Sequence, residues 1–508
     1  MDRLAYIFPL MLMISRSVTR CALLAAAPVA LLAAPLAVVA QPAPPTPTLA
    51  ELAARRDSLA ARVDSGVVVA FGARRPVHDF GQFFQLPTFR YLTNSDDADA
   101  AFVMVVRRGK GESTMFLTPQ EVRRALYDGV RTDSSTSRAR LGMRGRDFDE
   151  LRGVLDSLAR TGLPFYHVPD VETADFARMD SLTRGQEAIK SLIRSHPQLA
   201  VKNAMPLVMR LRARKSATEL ALIRHAAAIS SEGHRAAMLT ANPQHEYELR
   251  AALEFEFTRR GAARPAYGSI VGAGINGTQL HYMRASDPVG PNDLVVMDAA
   301  AEFQGYAADV TRTIPVSGRY SAEQKAIYQL VRDSQDAAER NSKPGMKIRA
   351  ATDSSVVVRA KGLAALGLIE SADASFDPPW KVDCAAQPAA CRQSMLWMVH
   401  GISHGIGLEV HDPLQGSGPD GVFAVGDAFT IEPGIYISTR TLNVLPDTPK
   451  NRAFKAAVQA KVRQYENTGV RIEDDYVVTE KGLEWISKVP REIPEIEALM
   501  RQRPRVTP

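Results

Sequence analysis

Three of the chain's ten histidines, His400, His404 and His411, fall within the thirteen residues HGISHGIGLEVHD at 400–412, spaced by glycines. Neutral imidazole is a common metal ligand and titrates near neutrality, so such a cluster points to metal binding or proton transfer. A glycine-rich surface loop is the competing reading, and carboxylates elsewhere decide between them. The segment LVVMDAAAEFQGYAADVTRTI supplies two. Its β-rich halves flank EFQG, a hairpin-turn signal, with Asp298 and Asp309 equidistant from the centre of that tetrapeptide. Direct or diagonal opposition would bring their Cβ atoms to roughly 5 Å or somewhat more, where like charges repel unless a proton or a cation intervenes. Hard divalent ions favour such oxygen ligands.

Two further carboxylates stand inside apolar strand-like runs, Glu432 in AFTIEPGIYI and Glu473 in VRIEDDYVV. Each alone could be a surface group at a strand end, because burying an unpaired carboxylate is costly. Together with Asp298, Asp309 and His404 they make five nitrogen and oxygen ligands, enough for two divalent ions with two carboxylates bridging. Two such ions roughly 3.5–4 Å apart can hold and activate one water.

The elements that must position these residues follow from hydrophobic patterning. In the first half, LAELAARRDSLAARV reads as an amphipathic helix. GVVVAFGA, RYLTN, AAFVMVVRR and STMFLTP read as strands, alternating with helical DFDELRGVLDSLART and RGQEAIKSLIRSH. That alternation predicts an α/β N-terminal domain over residues 51–203 with no chemistry-bearing cluster of its own. From 204 to 495, helical MPLVMRLRARKSATELALIRHAAAISSEGHRAAM and HEYELRAALEFEFTRRG precede strand-rich YGSIVGAG, LVVMDAAAEF, YAADVTRTIPV, DAFTIEPGIYIS and VRIEDDYVVTE. Residues 496–508 are expected to be a C-terminal tail, and no fixed-period repeat is visible.

Composition is that of an ordinary globular protein, 45% hydrophobic and 23% charged, with a thinly spread formal charge of +6. Without Lys/Arg blocks, a nucleic-acid partner has no support. Residues 1–40 differ: Arg16 and Arg20 precede the apolar CALLAAAPVALLAAPLAVVA, followed by the Pro-rich linker at 41–50. This order predicts a secretory signal peptide cleaved after Ala40, with translation starting at Met11 or Met13 and a periplasmic or secreted product free of the membrane. A membrane anchor is the alternative. Cleavage would remove Cys21 and leave Cys384 and Cys391, which in an oxidising compartment are expected to form a disulfide; unpaired thiols are the alternative.

The blocks MDAAAEFQGYAADVTRTIPVSG, HGISHGIGLEVHD, IEPGIYI and GVRIEDDYVVTE, in this order, resemble the proline-specific metallopeptidases of the pita-bread fold, aminopeptidase P before prolidase. The likeness spans about residues 205–495, and FFQLPTFRYLTNSDDADAAFVMVV resembles the family's N-terminal domain. It implies an α+β pita-bread catalytic domain and two divalent ions, manganese before zinc or cobalt. Asp298 would hold one ion, Asp309 and Glu473 would bridge, and His404 and Glu432 would complete the second. Glu432 would also take a proton from water. His281 and His411 match histidines that contact substrate and move protons, His400 one near the proline pocket, and Arg471 an arginine beside the bridging glutamate, with Tyr436 packing or hydrogen-bonding nearby. The implied activity removes the N-terminal residue from peptides with proline second. Prolidase action on dipeptides, a metal-free peptide-binding module and a creatinase-like amidinohydrolase are the alternatives. A homo-oligomer is expected. Ala300 and Phe303 depart from the family's usual Gly and Tyr, LHYMRASD lacks its asparagine, and the connections at 371–397 and 439–468 are long. In the second, Phe454, Val458, Val462 and Tyr465 have helical spacing.

Overall fold

The run GVVVAF is buried at every position, which places it in the middle of a sheet rather than at an edge. In the computed structural model, which describes residues 42–76, 81–171, 183–416 and 420–504, it is β1 (Gly66–Phe71) of a six-stranded mixed sheet. The other strands are β2 (Ala101–Arg107), β3 (Lys110–Leu117), β4 (Arg144–Asp147), β5 (Phe165–Val168) and β6 (Val201–Asn203), in the order β4-β3-β2-β1-β5-β6. β1 and β2 alternate between two cores. Val68, Ala70, Phe102 and Met104 pack with Leu59, Ala60 and Val63 of the helix Leu49–Val63. Val67, Val69, Ala101 and Val103 pack instead with Leu151, Leu155 and Leu192 of the helices Leu151–Ala159 and Arg184–Ser195. The segment RYLTN is a helix rather than the expected strand. Pro87 starts Pro87–Thr93, and Asn94, in the left-handed region at φ 51°, ends it with its N–H on the Arg90 carbonyl. Phe89, Leu92 and Thr93 are buried at spacings of three and four, a pattern hidden when the reading begins at Arg90.

The described residues beyond Asn203 contribute no strand to that sheet. They build antiparallel ladders from β7 (Arg264–Pro265), β8 (Ile270–Ala273), β9 (Leu294–Asp298), β10 (Ala301–Phe303), β11 (Tyr306–Ala307) and β12 (Thr311–Pro315). β13 (Ala428–Ile431), β14 (Gly434–Ile437), β15 (Thr468–Arg471), β16 (Asp474–Thr479) and β17 (Gly482–Trp485) complete them. Paired helices cover the ladders, Ala217–Leu239 with Glu246–Arg259 and Ala322–Arg340 with Ile348–Ala365.

The hairpin turns on Gln304 and Gly305, both at positive φ (53° and 81°), one step later than the centre of EFQG. That two-residue turn matches the twist of the flanking strands. Its register pairs Asp298 with Thr311, leaving Asp309 as the diagonal neighbour on the same face.

The two long connections dock on each other. Helix Pro449–Gln464 buries Phe454, Val458 and Val462, and Phe376 meets Phe454 with ring centroids 6.5 Å apart. Asn451 donates to the Asp377 carbonyl at 2.8 Å, and Thr448 to its carboxylate at 2.5 Å. Cys384 and Cys391 form the expected disulfide in the first connection. The boundary set at 495 falls inside the helix Ile493–Met500, whose Ile496 and Met500 are buried, so these residues are packed structure rather than a tail. The signal peptide expected at 1–40 lies outside the described residues. Among those described, no helix is long and apolar enough to cross a membrane.

Candidate metal centre

Strand pairing alone lines up four of the five proposed ligands. Asp298 at the end of β9 pairs with Thr311, and Thr311 bridges to Glu473 through N–H···O bonds of 3.3 and 3.1 Å. The pairings Ile431 with Asp474 and Gly434 with Arg471 leave Glu432 opposite Glu473 in the same register. Asp298, Thr311, Glu473 and Glu432 therefore form one row across neighbouring strands, with Asp309 diagonal to it. The glycine-rich loop brings in the fifth. Thr430 donates to the His404 carbonyl at 2.9 Å, and Glu432 to that of Ile402 at 2.8 Å, so residues 402–404 run beside β13. Gly405 allows this close approach, because a Cβ there would lie 2.3 Å from the Asp412 carbonyl oxygen.

The side chains converge. His404 Nε2 lies 3.4 Å from Asp309, 3.5 Å from Glu432 and 3.7 Å from Glu473. Asp309, His404 and Glu473 each present a ligand atom within 4.8 Å of the other two. Asp298 is held from behind by Arg471 at 2.5 Å. Thr311 Oγ1 donates to Glu473 Oε2 at 2.8 Å and accepts from Arg471 Nε at 3.2 Å. His400 Nε2 lies 2.9 Å from the Tyr436 hydroxyl, which accepts from Arg471 at 2.8 Å, while His400 Nδ1 is 3.4 Å from Glu432. His411 sets its ring against His404 with centroids 4.4 Å apart. His281, Met283, Leu280 and Val410 complete an open cavity of about 550 Å³ above the carboxylates. All eight expected site residues and Arg471 thus face one space.

The electrostatics call for a cation. Glu473 is 2% exposed and its Oε1 has no hydrogen-bond partner. Burial, then the charges of Asp309, Glu432 and Asp298, holds its carboxyl well above the usual range, and burial likewise raises Asp309. Burial disfavours the charged form of His404, but the hydrogen bond and charge of Asp309, with Glu432, outweigh it and raise the ring to about 9. Burial and the neighbouring His404 push His411 down, favouring its neutral form. The Tyr267 hydroxyl lies 2.5 Å from both Asp298 Oδ1 and Asp309 Oδ1, although its single proton can serve only one. An orphaned buried oxygen, crowded carboxylates and an oxygen-rich donor set fit hard divalent ions.

A family model for "Metallopeptidase family M24" matches residues 221–480, and one for "Aminopeptidase P, N-terminal domain" matches residues 52–163. The chain is 32% identical to the Xaa-Pro aminopeptidase of Haemophilus influenzae, over 82% of this chain and 88% of that one. The chain belongs to metallopeptidase family M24. This M24 chain is also 32% identical to the Escherichia coli Xaa-Pro aminopeptidase over 81% of its own length and 88% of the relative's. Among solved structures it resembles zinc-substituted E. coli aminopeptidase P in complex with product, with a TM-score of 0.75 and 29% identity, covering 91% of this chain and 100% of that one. Pseudomonas aeruginosa aminopeptidase PepP gives a TM-score of 0.73 at 30% identity, covering 90% and 98%. M24 enzymes use divalent metals, which this donor set fits.

Sequence reasoning missed Tyr267 and Thr311. Tyr267 opens the strand signal YGSIVGAG with nothing to mark its hydroxyl, and Thr311 looks like an ordinary strand threonine. Tyr436, expected to pack or hydrogen-bond nearby, links Arg471 to His400 through its hydroxyl.

Proposed function

We propose that this chain is an exported Xaa-Pro aminopeptidase that works with two divalent ions and removes the N-terminal residue from peptides with proline in the second position. The observation that carries the reading is the row Asp298–Thr311–Glu473–Glu432 with Asp309 and His404 converging on it, beneath a cavity walled by His281, His400 and His411. Asp309 and Glu473 would bridge the ions, Asp298 would serve one, and His404 and Glu432 the other. Manganese suits the oxygen-rich set best, with zinc or cobalt as substitutes. Ions bound there would polarise the scissile carbonyl and lower the pKa of a water.

The chain's own groups do the rest. The substrate's Xaa-Pro amide is tertiary, so its nitrogen must gain a proton before it leaves as a secondary amine. Glu432, 3.4 Å from His400 and 3.5 Å from His404, is placed to accept a proton from water and pass it on. His411, held neutral by burial, can donate a hydrogen bond to the carbonyl oxygen as charge develops there. Tyr436, whose hydroxyl burial pushes up to about 12, stays protonated and fixes the His400 ring. The free α-amine of the substrate would sit toward Asp298, which limits cleavage to the first residue.

Hydrolysis of Xaa-Pro-Xaa tripeptides, abolished by chelator and restored by manganese, is the expected result. Activity confined to Xaa-Pro dipeptides would indicate prolidase, which the Xaa-Pro aminopeptidase relatives do not favour. A folded chain that binds metal and peptide without turnover would indicate a binding module. Export, proposed from residues 1–40, is tested by N-terminal sequencing of the soluble protein, expected to begin near Gln41. The proposed homo-oligomer is tested by light scattering.

A further inference from the structure

Away from the metal centre, an open cavity of about 470 Å³ lies where the helix Leu49–Val63 meets Met205–Ala213 and the start of Ala217–Leu239. Arg55, Arg62, Arg210, Arg214 and Lys215 face it, against only two carboxylates, Glu51 and Glu219. Both carboxylates are already engaged. Glu51 accepts from Arg55 at 2.9 Å and Ser216 at 2.7 Å. Glu219 accepts from the Ser216 N–H at 2.9 Å and from Tyr306 at 3.1 Å. Lys215 is buried and paired with Asp412 at 2.9 Å. Arg62, Arg210 and Arg214 are exposed, and among the described residues no carboxylate forms an ion pair with any of them.

Three guanidinium groups thus share one concave wall with no ion-pair partner among the described residues. Guanidinium forks match the oxygens of phosphates and carboxylates in pairs. The volume is that of a small-molecule site and accommodates more than one anionic group. We propose that this cavity binds a small polyanion carrying two or more phosphate or carboxylate groups. Lys215, which lines this cavity, pairs with Asp412, the residue that follows His411.

The test is titration calorimetry of the full chain at low salt with two probes, inorganic tripolyphosphate and citrate. At least one probe should bind in the micromolar range, weakening steeply as salt is added. Which probe binds more tightly separates phosphate from carboxylate chemistry. Combined Arg62→Gln, Arg210→Gln and Arg214→Gln should weaken binding at least tenfold while leaving the melting temperature and the turnover of an Xaa-Pro-Xaa peptide unchanged. If the triple variant does not fold, single variants should each weaken binding severalfold. Equal heats in wild type and variants would place the probes elsewhere, chelation of a metal included, and would overturn the proposal. So would the absence of binding at millimolar concentrations of both probes.

Discussion

Glu473→Gln should make the metal-free protein more stable and the metal-loaded protein less so. Asp309, His404 and Glu473 present ligand atoms within 4.8 Å of one another, and Glu473 is 2% exposed. Two ionised carboxylates at such a distance repel by about 3.5 kcal/mol at an effective dielectric constant near 20. Proton uptake already relieves part of this, since burial and neighbouring charges hold the Glu473 carboxyl well above its usual range. The neutral amide is nearly isosteric, its oxygen can accept the Thr311 hydroxyl now bound to Oε2 at 2.8 Å, and its NH₂ can donate to Asp309 or Glu432. A net gain of about 1–2 kcal/mol remains for the metal-free variant.

Metal reverses the order. A ligand present at a thousand times its dissociation constant stabilises the wild type by about 4 kcal/mol. The variant lacks the proposed bridge and should gain less than half of that. Calorimetric scans of chelated, dialysed protein, repeated across a manganese titration with bound metal measured in parallel, would show the two curves crossing. Peptide turnover should be nearly lost in the variant. A metal-free variant less stable than wild type, or one gaining as much from manganese, would refute the argument that the buried Glu473 carboxyl is destabilising until it meets a cation.

Metal uptake should tighten with pH. His404 is raised to about 9, so at neutral pH the metal-free ring carries a proton that a cation must displace. Calorimetry in buffers of different ionisation enthalpy should count at least one proton released per site at pH 7, and a count of zero would contradict the assignment. The same raised pKa stabilises the metal-free fold fully below the unfolded value of about 6.5 and loses that contribution as pH rises through about 9. Asp412→Asn should cost about 3–5 kcal/mol by denaturant melting, because it leaves Arg212 and Lys215 buried without a full counter-charge. Burial alone would raise Asp412, but those two cations hold it below the usual carboxylate range, so its contribution is present above the unfolded pKa and lost as pH falls through the folded one. Replacing Cys384 and Cys391 by Ser should lower stability by about 2.5 kcal/mol with little change in kcat, since the eight-residue loop they close lies outside the cavity lining.

What could be read from the chain beforehand divides along a physical line. Asp298, Asp309, Glu432 and Glu473 stand out because a carboxylate inside an apolar strand must meet a partner, and that requirement is visible one segment at a time. Their alignment into one row is different. It depends on how β12 registers against β9 across the hairpin, and against the 471–475 segment, where Glu473 lies 162 positions on from Thr311. A one-step shift in any of them would turn a ligand to the opposite face. The turn at Gln304–Gly305 shows how small the margin is: it moved the centre by one residue, and the aspartates became diagonal rather than direct neighbours. Tyr267 and Thr311 were illegible for a related reason, since a strand hydroxyl gains its role only from what the fold sets beside it. The Arg212–Lys215–Asp412 cluster is the extreme case, joining residues about two hundred positions apart to hold the residue next to His411. Chemistry that burial makes obligatory is legible locally, whereas its positioning belongs to contacts that no local pattern encodes.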